Sequence, residues 1–259
     1  MTHTEPTTTA ADAPHSTQTD VVIQGVKSKI VRGTLAPGAK LPIEKDLAAE
    51  FRVSRGSLRE GIRALATMGI LETRQGAGTY VTSLDASLLL APLGLVAEIQ
   101  TPANSAHLHS VRRVLESEAA LRAASRITDA QLDAAAALLD GVEELVDGDG
   151  QAHHERVMEA DIEFHRIIAR ASGNPALEAL IEALSNRTVR ARVWRTMRED
   201  GVMRAAQAEH RAILAELRAR DGEAARIRMA GHLLGVERFI GGSEVADPAA
   251  AGGSAPEPA

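Results

Sequence analysis

The sequence predicts a mainly α-helical protein with two domains: a small N-terminal domain that ends in a β-hairpin, and a larger C-terminal bundle of antiparallel helices. Three observations support this prediction. The chain has 259 residues, more than one domain usually holds. Aromatic residues make up only 2% of it, which favours helices packed through aliphatic side chains. Apolar residues recur at helical spacing along most of the chain, interrupted by two short β-prone runs.

Composition narrows the chemistry. The chain contains no cysteine, so disulfides and thiolate metal sites are excluded and any metal must be held by His and carboxylates. Neither a signal peptide nor a run of about 20 apolar residues occurs, so we expect a cytoplasmic protein. The net charge is −6, yet residues 21–84 hold 10 Lys and Arg against 5 Asp and Glu. This asymmetry is typical of a nucleic-acid-binding module attached to an acidic domain.

The segment from Leu41 to Val81 predicts two short helices joined by a tight turn and followed by a hairpin. Ser54 is placed to cap the second of these helices. The exposed side of that helix presents side chains suited to phosphates and base edges: Arg55, Ser57, Arg59 and Arg63. A further amphipathic helix precedes them, between Val21 and Gly33, so the order is helix, helix, helix, hairpin. This is the order of a winged helix-turn-helix, whose third helix enters the major groove.

The hairpin is the predicted wing. Arg74 and Gln75 are the side chains best placed to touch DNA there. Gly76 and Gly78 allow the tip to turn and to approach the DNA backbone closely.

From about His107 to Ile240 every segment has a helical period, which predicts six helices with short connections in an antiparallel bundle. A capping box at Thr128 and Gln131 and a cap at Asn174 are expected to begin two of them, and the helix that begins at Asn174 is expected to run towards Trp194. The predicted domains are therefore residues 20–84 and 107–240. Residues 85–106 form a linker, expected to include a short helix, and residues 1–19 and 241–259 form disordered tails.

Four polar residues of the bundle suit a metal ion. Asp161 and His165 lie one helical turn apart, and His210 and His232 lie on two later helices. Three imidazoles and one carboxylate are suitable ligands for zinc, nickel or manganese, and a six-coordinate ion keeps positions open for a bound acid. Spacing alone leaves a second interpretation open, because a helical His is more often an ordinary core or surface residue.

Four motifs follow one another between Ile30 and Val81: LAPGAKLP, SRGSLRE, LATMGIL and GAGTYV. They resemble the DNA-binding domain of the GntR family of bacterial transcription regulators. The resemblance implies DNA contacts at six positions: Lys45, Ser54, Arg55, Arg59, Gln75 and Gly76. Three residues depart from the family pattern. Ile43 stands where a capping Ser is usual, and Lys45 stands where an Arg is common. Gly56 leaves the base-facing side of its helix without a side chain at that position. These departures put the family's usual operator sequence in doubt.

Three later stretches, SVRRVLESEAALRAA, DIEFHRIIARASGNPAL and EHRAILAELRARDGEAARIRMAGHL, resemble the FCD ligand-binding domain of the FadR-type branch of that family. The resemblance implies that the Asp and the three His hold a divalent metal, with zinc preferred to nickel or manganese. It also implies an Arg that holds a carboxylate effector. Arg112, four residues before Glu116, fits best, with Arg113 as the alternative, and a solvated surface Arg is the competing interpretation. Arg190 is a further candidate for the pocket, but the Arg-rich helix face that carries it is more simply interpreted as a solvated flank.

The leading hypothesis is a ligand-responsive transcription regulator, expected to be a repressor and not an enzyme. It would bind double-stranded operator DNA as a homodimer and respond to a small organic or sugar acid. Two alternatives stay open. The C-terminal domain could be a metalloenzyme, although no H-E-x-x-H arrangement supplies a general base. The chain could instead be an architectural DNA-binding protein with salt-sensitive, nonspecific binding.

Overall fold

A computed structural model of the protein describes residues 17–99, 102–146, 151–185 and 202–243. These residues are mainly helical, with one two-stranded antiparallel sheet, so the predicted fold class is confirmed. The chain divides into two compact units, Met1–Leu88 and Leu89–Ala259. Among the described residues, none of the helices combines the length and the apolar character that a membrane-spanning segment needs.

The N-terminal unit has the predicted order of three helices and a hairpin. Its elements are α1 (Gln18–Val31), α2 (Glu44–Phe51), α3 (Arg55–Thr67), β1 (Leu71–Arg74) and β2 (Gly78–Val81). The Oγ of Ser54 accepts the backbone N–H of Ser57 at 3.0 Å and so caps α3 as expected. Ile43 precedes α2 and makes no side-chain cap, which agrees with the departure seen in the sequence. Arg52 turns the chain between the two helices with a φ of 56°.

Close packing of α1 against α3 fixes the direction of α3. Val22 on α1 and Leu58 on α3 are fully buried in one apolar cluster with Leu47 and Leu71. A Cβ atom at Gly61 would lie 2.5 Å from Cγ1 of Val22, so the two helices can approach this closely only because Gly61 has no side chain.

The C-terminal unit is a helical bundle. Its elements follow in the order α4 (Ala86–Ile99, which begins in the N-terminal unit), α5 (Pro102–Ala124), α6 (Asp129–Asp140), a 3₁₀ turn (Glu143–Leu145), α7 (Gln151–Ala171), α8 (Pro175–Leu184), α9 (Val202–Arg218) and α10 (Gly222–Ser243). The capping box of Thr128 and Gln131 and the Asn174 cap are confirmed. Alanines of α5 such as Ala120 and Ala123 are fully buried, and α5 packs most extensively against α10.

Several predicted boundaries differ from the structure. The helix α1 begins at Gln18, inside the predicted tail, because Thr17 and Asp20 form a capping box. The predicted linker holds α4 and the first residues of α5. The last helix continues to Ser243, because Gly241 keeps a helical conformation.

One predicted helix is shorter than expected. The sequence suggested a helix running from Asn174 towards Trp194, but α8 ends at Leu184 with Ser185 as its C-cap. Residues 186–201, and with them Arg190, lie outside the described residues, as do residues 1–16 and 244–259 of the predicted tails.

Candidate functional site

Four buried polar side chains meet inside the C-terminal bundle. Asp161 and His165 come from α7, His210 from α9 and His232 from α10, and they are 6%, 2%, 3% and 4% exposed. One potential ligand atom of each lies within 4.8 Å of the others. The Nε2 atoms of His210 and His232 are 3.1 Å apart, and Oδ1 of Asp161 is 3.4 Å from Nε2 of His210. The structure therefore brings together the four residues that the sequence singled out.

Two of the imidazoles have a carboxylate next to Nδ1, the ring nitrogen on the side away from the cluster. Oε2 of Glu116 contacts Nδ1 of His165, and Oε2 of Glu209 lies 2.7 Å from Nδ1 of His232. A carboxylate at Nδ1 favours the proton on that nitrogen and leaves the lone pair on Nε2. This is the arrangement in which protein imidazoles bind metals.

The chemistry of these donors fits a divalent metal ion. Nε2 of His165 is buried and has no hydrogen-bond partner among the described residues. A buried lone pair without a partner is unfavourable, and a metal ion would satisfy it. Burial also lowers the pKa of His232, which keeps its imidazole neutral, the form that coordinates a metal. Three imidazoles and one carboxylate match zinc and its neighbours in the transition series.

Arg112 belongs to the same network. It is 3% exposed, and its Nε donates to Oε1 of Glu116, whose other oxygen contacts His165. Its two terminal nitrogens have no hydrogen-bond partner among the described residues, so they remain able to bind a carboxylate. Arg113 instead donates from Nε to Oε2 of Glu237 at 3.0 Å. Of the two arginines named from the sequence, Arg112 is the one joined to the cluster.

One small cavity lies beside the cluster. A cavity of about 10 Å³ is bordered by Asp161, His210 and Gln207, together with apolar residues of α7 and α9. This volume holds about one water molecule. A carboxylate larger than water would have to displace neighbouring groups to enter there.

Sequence reasoning missed Glu116 and Glu209 as functional residues. Glu116 served only as a spacing mark for Arg112, and Glu209 precedes a proposed ligand without any motif of its own. The available signal was the spacing of Arg112 and Glu116, which places an Arg and a Glu one helical turn apart on the face that carries buried alanines.

The second candidate surface is the exposed side of α3 with the start of α2. Lys45 and Arg55 are exposed and make no ion pair within the described residues. Nε of Arg59 donates to Oε2 of Glu44 at 2.9 Å. The Oγ of Ser57 donates to Oε1 of Gln18 at 3.0 Å, so this predicted DNA contact is engaged by α1 in the free protein.

The wing has the expected tip. Gln75 and Gly76 are exposed between β1 and β2, Gly76 has a φ of 72°, and nothing lies within 4 Å of where its Cβ would be. Arg74 pairs with Glu72 at 2.5 Å and its guanidinium lies 4.3 Å from the ring centre of Tyr80. The wing arginine is therefore held in place before any DNA is present.

Two family models match the chain. The model described as "Bacterial regulatory proteins, gntR family" matches residues 18–81, and the model described as "FCD domain" matches residues 107–235.

Individual relatives agree with these matches. The HTH-type transcriptional regulator LutR of Bacillus subtilis is 33% identical over 82% of this chain and 96% of its own length. The HTH-type transcriptional repressor NanR of Citrobacter rodentium is 29% identical over 83% of this chain and 82% of its own. A solved structure of Streptococcus agalactiae GntR is similar with a TM-score of 0.58 and 30% identity, covering 85% of this chain and 99% of that one.

Proposed function

The chain belongs to the GntR family of bacterial transcription regulators and carries an FCD domain, and we propose that it is a repressor controlled by a metal-dependent carboxylate effector. In this proposal a homodimer binds operator DNA through α3 and the wing of each subunit. The FCD domain binds a divalent ion, zinc in preference to nickel or manganese, at Asp161, His165, His210 and His232. A small organic or sugar acid then binds beside the ion at Arg112.

The observation that carries the metal proposal is the convergence of four buried ligand atoms within 4.8 Å of one another. A bound zinc ion would supply a Lewis-acidic centre able to accept a carboxylate oxygen. Asp161 and the three imidazoles would hold the ion, and Glu116 and Glu209 would orient two of those imidazoles.

Arg112 supports the acidic class of effector. Its guanidinium is buried beside the cluster, and a buried cation with free donor nitrogens favours an anionic ligand. The fork of two terminal nitrogens matches the two oxygens of a carboxylate. An acid that enters the small cavity beside Asp161 and His210 would have to move neighbouring groups. Such a difference between free and bound states is what a regulator needs, because an effector shifts an equilibrium only by binding one state better.

DNA binding follows from the family, and the residues proposed to perform it are Lys45, Ser54, Arg55, Ser57, Arg59, Arg74, Gln75 and Gly76. Arg55 is exposed at the start of α3, where a recognition helix contacts base edges. A two-fold symmetric dimer matches a near-palindromic operator. Exposed apolar side chains on α4 and α5, among them Leu95 at 63% and Val114 at 63%, are consistent with a subunit interface. Repression is proposed because the NanR relatives are named repressors.

Two linked measurements test the proposed function. Thermal-shift screening of the zinc-loaded chain against a panel of carboxylic acids should identify ligands that stabilise it. The acids found should then weaken binding to the DNA upstream of its own gene, measured by fluorescence anisotropy at fixed salt. Equal affinity for that DNA and a scrambled duplex would instead indicate an architectural protein. Metal-dependent turnover of an acid or ester would indicate an enzyme.

A further inference from the structure

We propose that Glu116 is a positioning residue that couples the effector-binding arginine to the metal-binding imidazole of His165. This inference rests on the proposed function, because it requires a metal ion at the cluster and a carboxylate at Arg112. It adds a residue and a direction of coupling: occupation of either site strengthens binding at the other.

The carboxylate of Glu116 contacts two groups, the guanidinium of Arg112 and the imidazole of His165. Oε1 of Glu116 accepts from Nε of Arg112, and Oε2 contacts Nδ1 of His165. The Oγ of Ser185, at the end of α8, donates to Oε1 at 3.4 Å. Glu116 is only 2% exposed. Three helices of the bundle therefore meet at a single buried side chain.

Because Glu116 is buried, its contact with Arg112 affects its contact with His165. In a low-dielectric interior, the charge on one partner of a carboxylate changes the strength of its bond to the other. An effector carboxylate bound to Arg112 would offset the guanidinium charge and leave Glu116 a stronger acceptor for the Nδ1–H of His165. A stronger acceptor at Nδ1 makes Nε2 a better metal ligand. By thermodynamic reciprocity, a metal ion at Nε2 must then favour the effector at Arg112 by the same factor.

Glu209 provides the internal control. It lies 2.7 Å from Nδ1 of His232, so it performs the same orienting role for another ligand. Its side chain, however, is 47% exposed, and no arginine of the described residues pairs with it. Solvent screens its charge, and nothing connects it to the effector arginine. Both glutamates therefore contact an imidazole of the proposed metal site, but only Glu116 also contacts the proposed effector-binding arginine.

The first test compares Glu116→Gln with Glu209→Gln in the full chain. Zinc affinity is measured with Zn²⁺ alone against a chromophoric chelator. We expect Glu116→Gln to raise the zinc Kd about 10- to 100-fold, the range typical of an outer-shell partner. Glu209→Gln should raise it less than about fivefold, because an exposed contact is weak. Equal effects of the two substitutions would contradict a special role for Glu116.

Long-range ¹H–¹⁵N spectra of the histidines in the metal-free chain give a readout that simple destabilisation would not change. His165 should carry its proton on Nδ1 in the parent protein. In Glu116→Gln this tautomer should no longer dominate, while His232 keeps its own. An unchanged His165 signal in that variant would overturn the proposed orienting role.

A double-mutant cycle tests the coupling. Arg112→Gln removes the guanidinium that competes with His165 for the carboxylate of Glu116. In the parent protein this change should therefore raise the zinc affinity at least about threefold. In the Glu116→Gln background the same change should alter the zinc affinity by less than about twofold. An equal effect in both backgrounds would show that Arg112 acts on the metal directly through space.

Arg112→Lys serves as the second variant, because Arg112→Gln leaves Glu116 buried without its cation and can prevent folding. Lysine keeps the positive charge and loses the directed Nε–H bond, so any background-dependent change in zinc affinity must arise through the Glu116 contact. The same change in both backgrounds would overturn the coupling. If the parent protein and Glu116→Gln bind zinc equally tightly, this inference is refuted and the proposed function is not. A parent protein that binds no zinc would overturn the proposed function and this inference with it.

Discussion

The two candidate sites of this protein differ in how their side chains are held. On α3 and the wing most of the proposed DNA contacts are exposed, and Arg59 and Arg74 make surface ion pairs with Glu44 and Glu72. In the bundle the proposed metal ligands are buried, and two imidazoles have a carboxylate behind them. Exposed pairs contribute little to stability, about 0 to 1 kcal/mol each, whereas buried polar groups affect folding strongly.

In the N-terminal unit, DNA recognition and folding stability are therefore expected to depend on different side chains. In the FCD domain, metal binding and folding stability are expected to depend on the same side chains. A substitution on the DNA surface should change binding and leave the free energy of unfolding almost unaltered. A substitution in the cluster should change metal binding and stability together, because the ion would satisfy Nε2 of His165, which is otherwise buried without a hydrogen-bond partner among the described residues.

The largest expected effect is on metal-linked stability. At a free zinc concentration 100 times its Kd, the parent chain should gain about 2.7 kcal/mol in free energy of unfolding. His210→Ala should lose this gain, because it removes one of the four proposed ligands. Urea unfolding with zinc and with a chelator measures both. His107→Ala, which removes an exposed histidine of α5, is the matched control and should keep the gain.

Arg55→Ala should have the next largest effect, confined to DNA. Loss of this proposed base contact is expected to weaken operator binding by about 1–3 kcal/mol and to relax sequence preference. The free energy of unfolding should change by less than about 0.5 kcal/mol, because Arg55 is exposed and unpaired within the described residues. Arg32→Ala removes the same charge from the end of α1 and should leave selectivity intact. Operator binding by Arg55→Ala as tight as that of the parent would mean that α3 is not the recognition helix.

Ile43→Ser should stabilise the N-terminal unit by about 1 kcal/mol, because a hydroxyl at this position can accept an orphan N–H of α2. Ile43 is 65% exposed and makes no side-chain cap, so little packing is lost. Differential scanning calorimetry measures the gain. Ile43→Ala removes the same side chain without supplying a cap, and a gain of equal size in that variant would rule out the capping explanation.

Glu44→Gln should produce the smallest effect, a tightening of DNA binding by about 0.2–1 kcal/mol, because Arg59 would no longer leave an ion pair to reach a phosphate. Anisotropy titrations at two salt concentrations measure it. Glu50→Gln removes an equal charge from a pair with Lys29 at 2.6 Å. If both variants tighten binding equally, general charge rather than Arg59 is responsible.

Sequence patterns predicted most of the fold because periodicity and caps are local. The Ser54, Thr128 and Asn174 caps and the hairpin all lie where their residues indicated. The four clustered residues could be named because family motifs carry them, and the family assignment is confirmed. Their roles as metal ligands remain a proposal.

Contacts between helices distant in sequence could not be predicted in the same way. The double use of Glu116 depends on side-chain directions of α5 and α7, which the spacing of either helix alone does not determine. The bond from Ser57 to Gln18 joins residues 39 apart and became visible only once α1 was seen to begin at Gln18. Caps and periods are set by near neighbours, whereas such contacts are set by the packing of the whole unit.

The central claim is that Asp161, His165, His210 and His232 form one metal centre, and zinc K-edge X-ray absorption of the purified, zinc-loaded chain tests it most directly. We predict one zinc per chain with three imidazole nitrogens at about 2.0–2.1 Å and oxygen ligands at about 2.0–2.2 Å. His210→Ala should lose one imidazole from that shell. A parent spectrum with one imidazole or none, or a shell unchanged by His210→Ala, would contradict the claim.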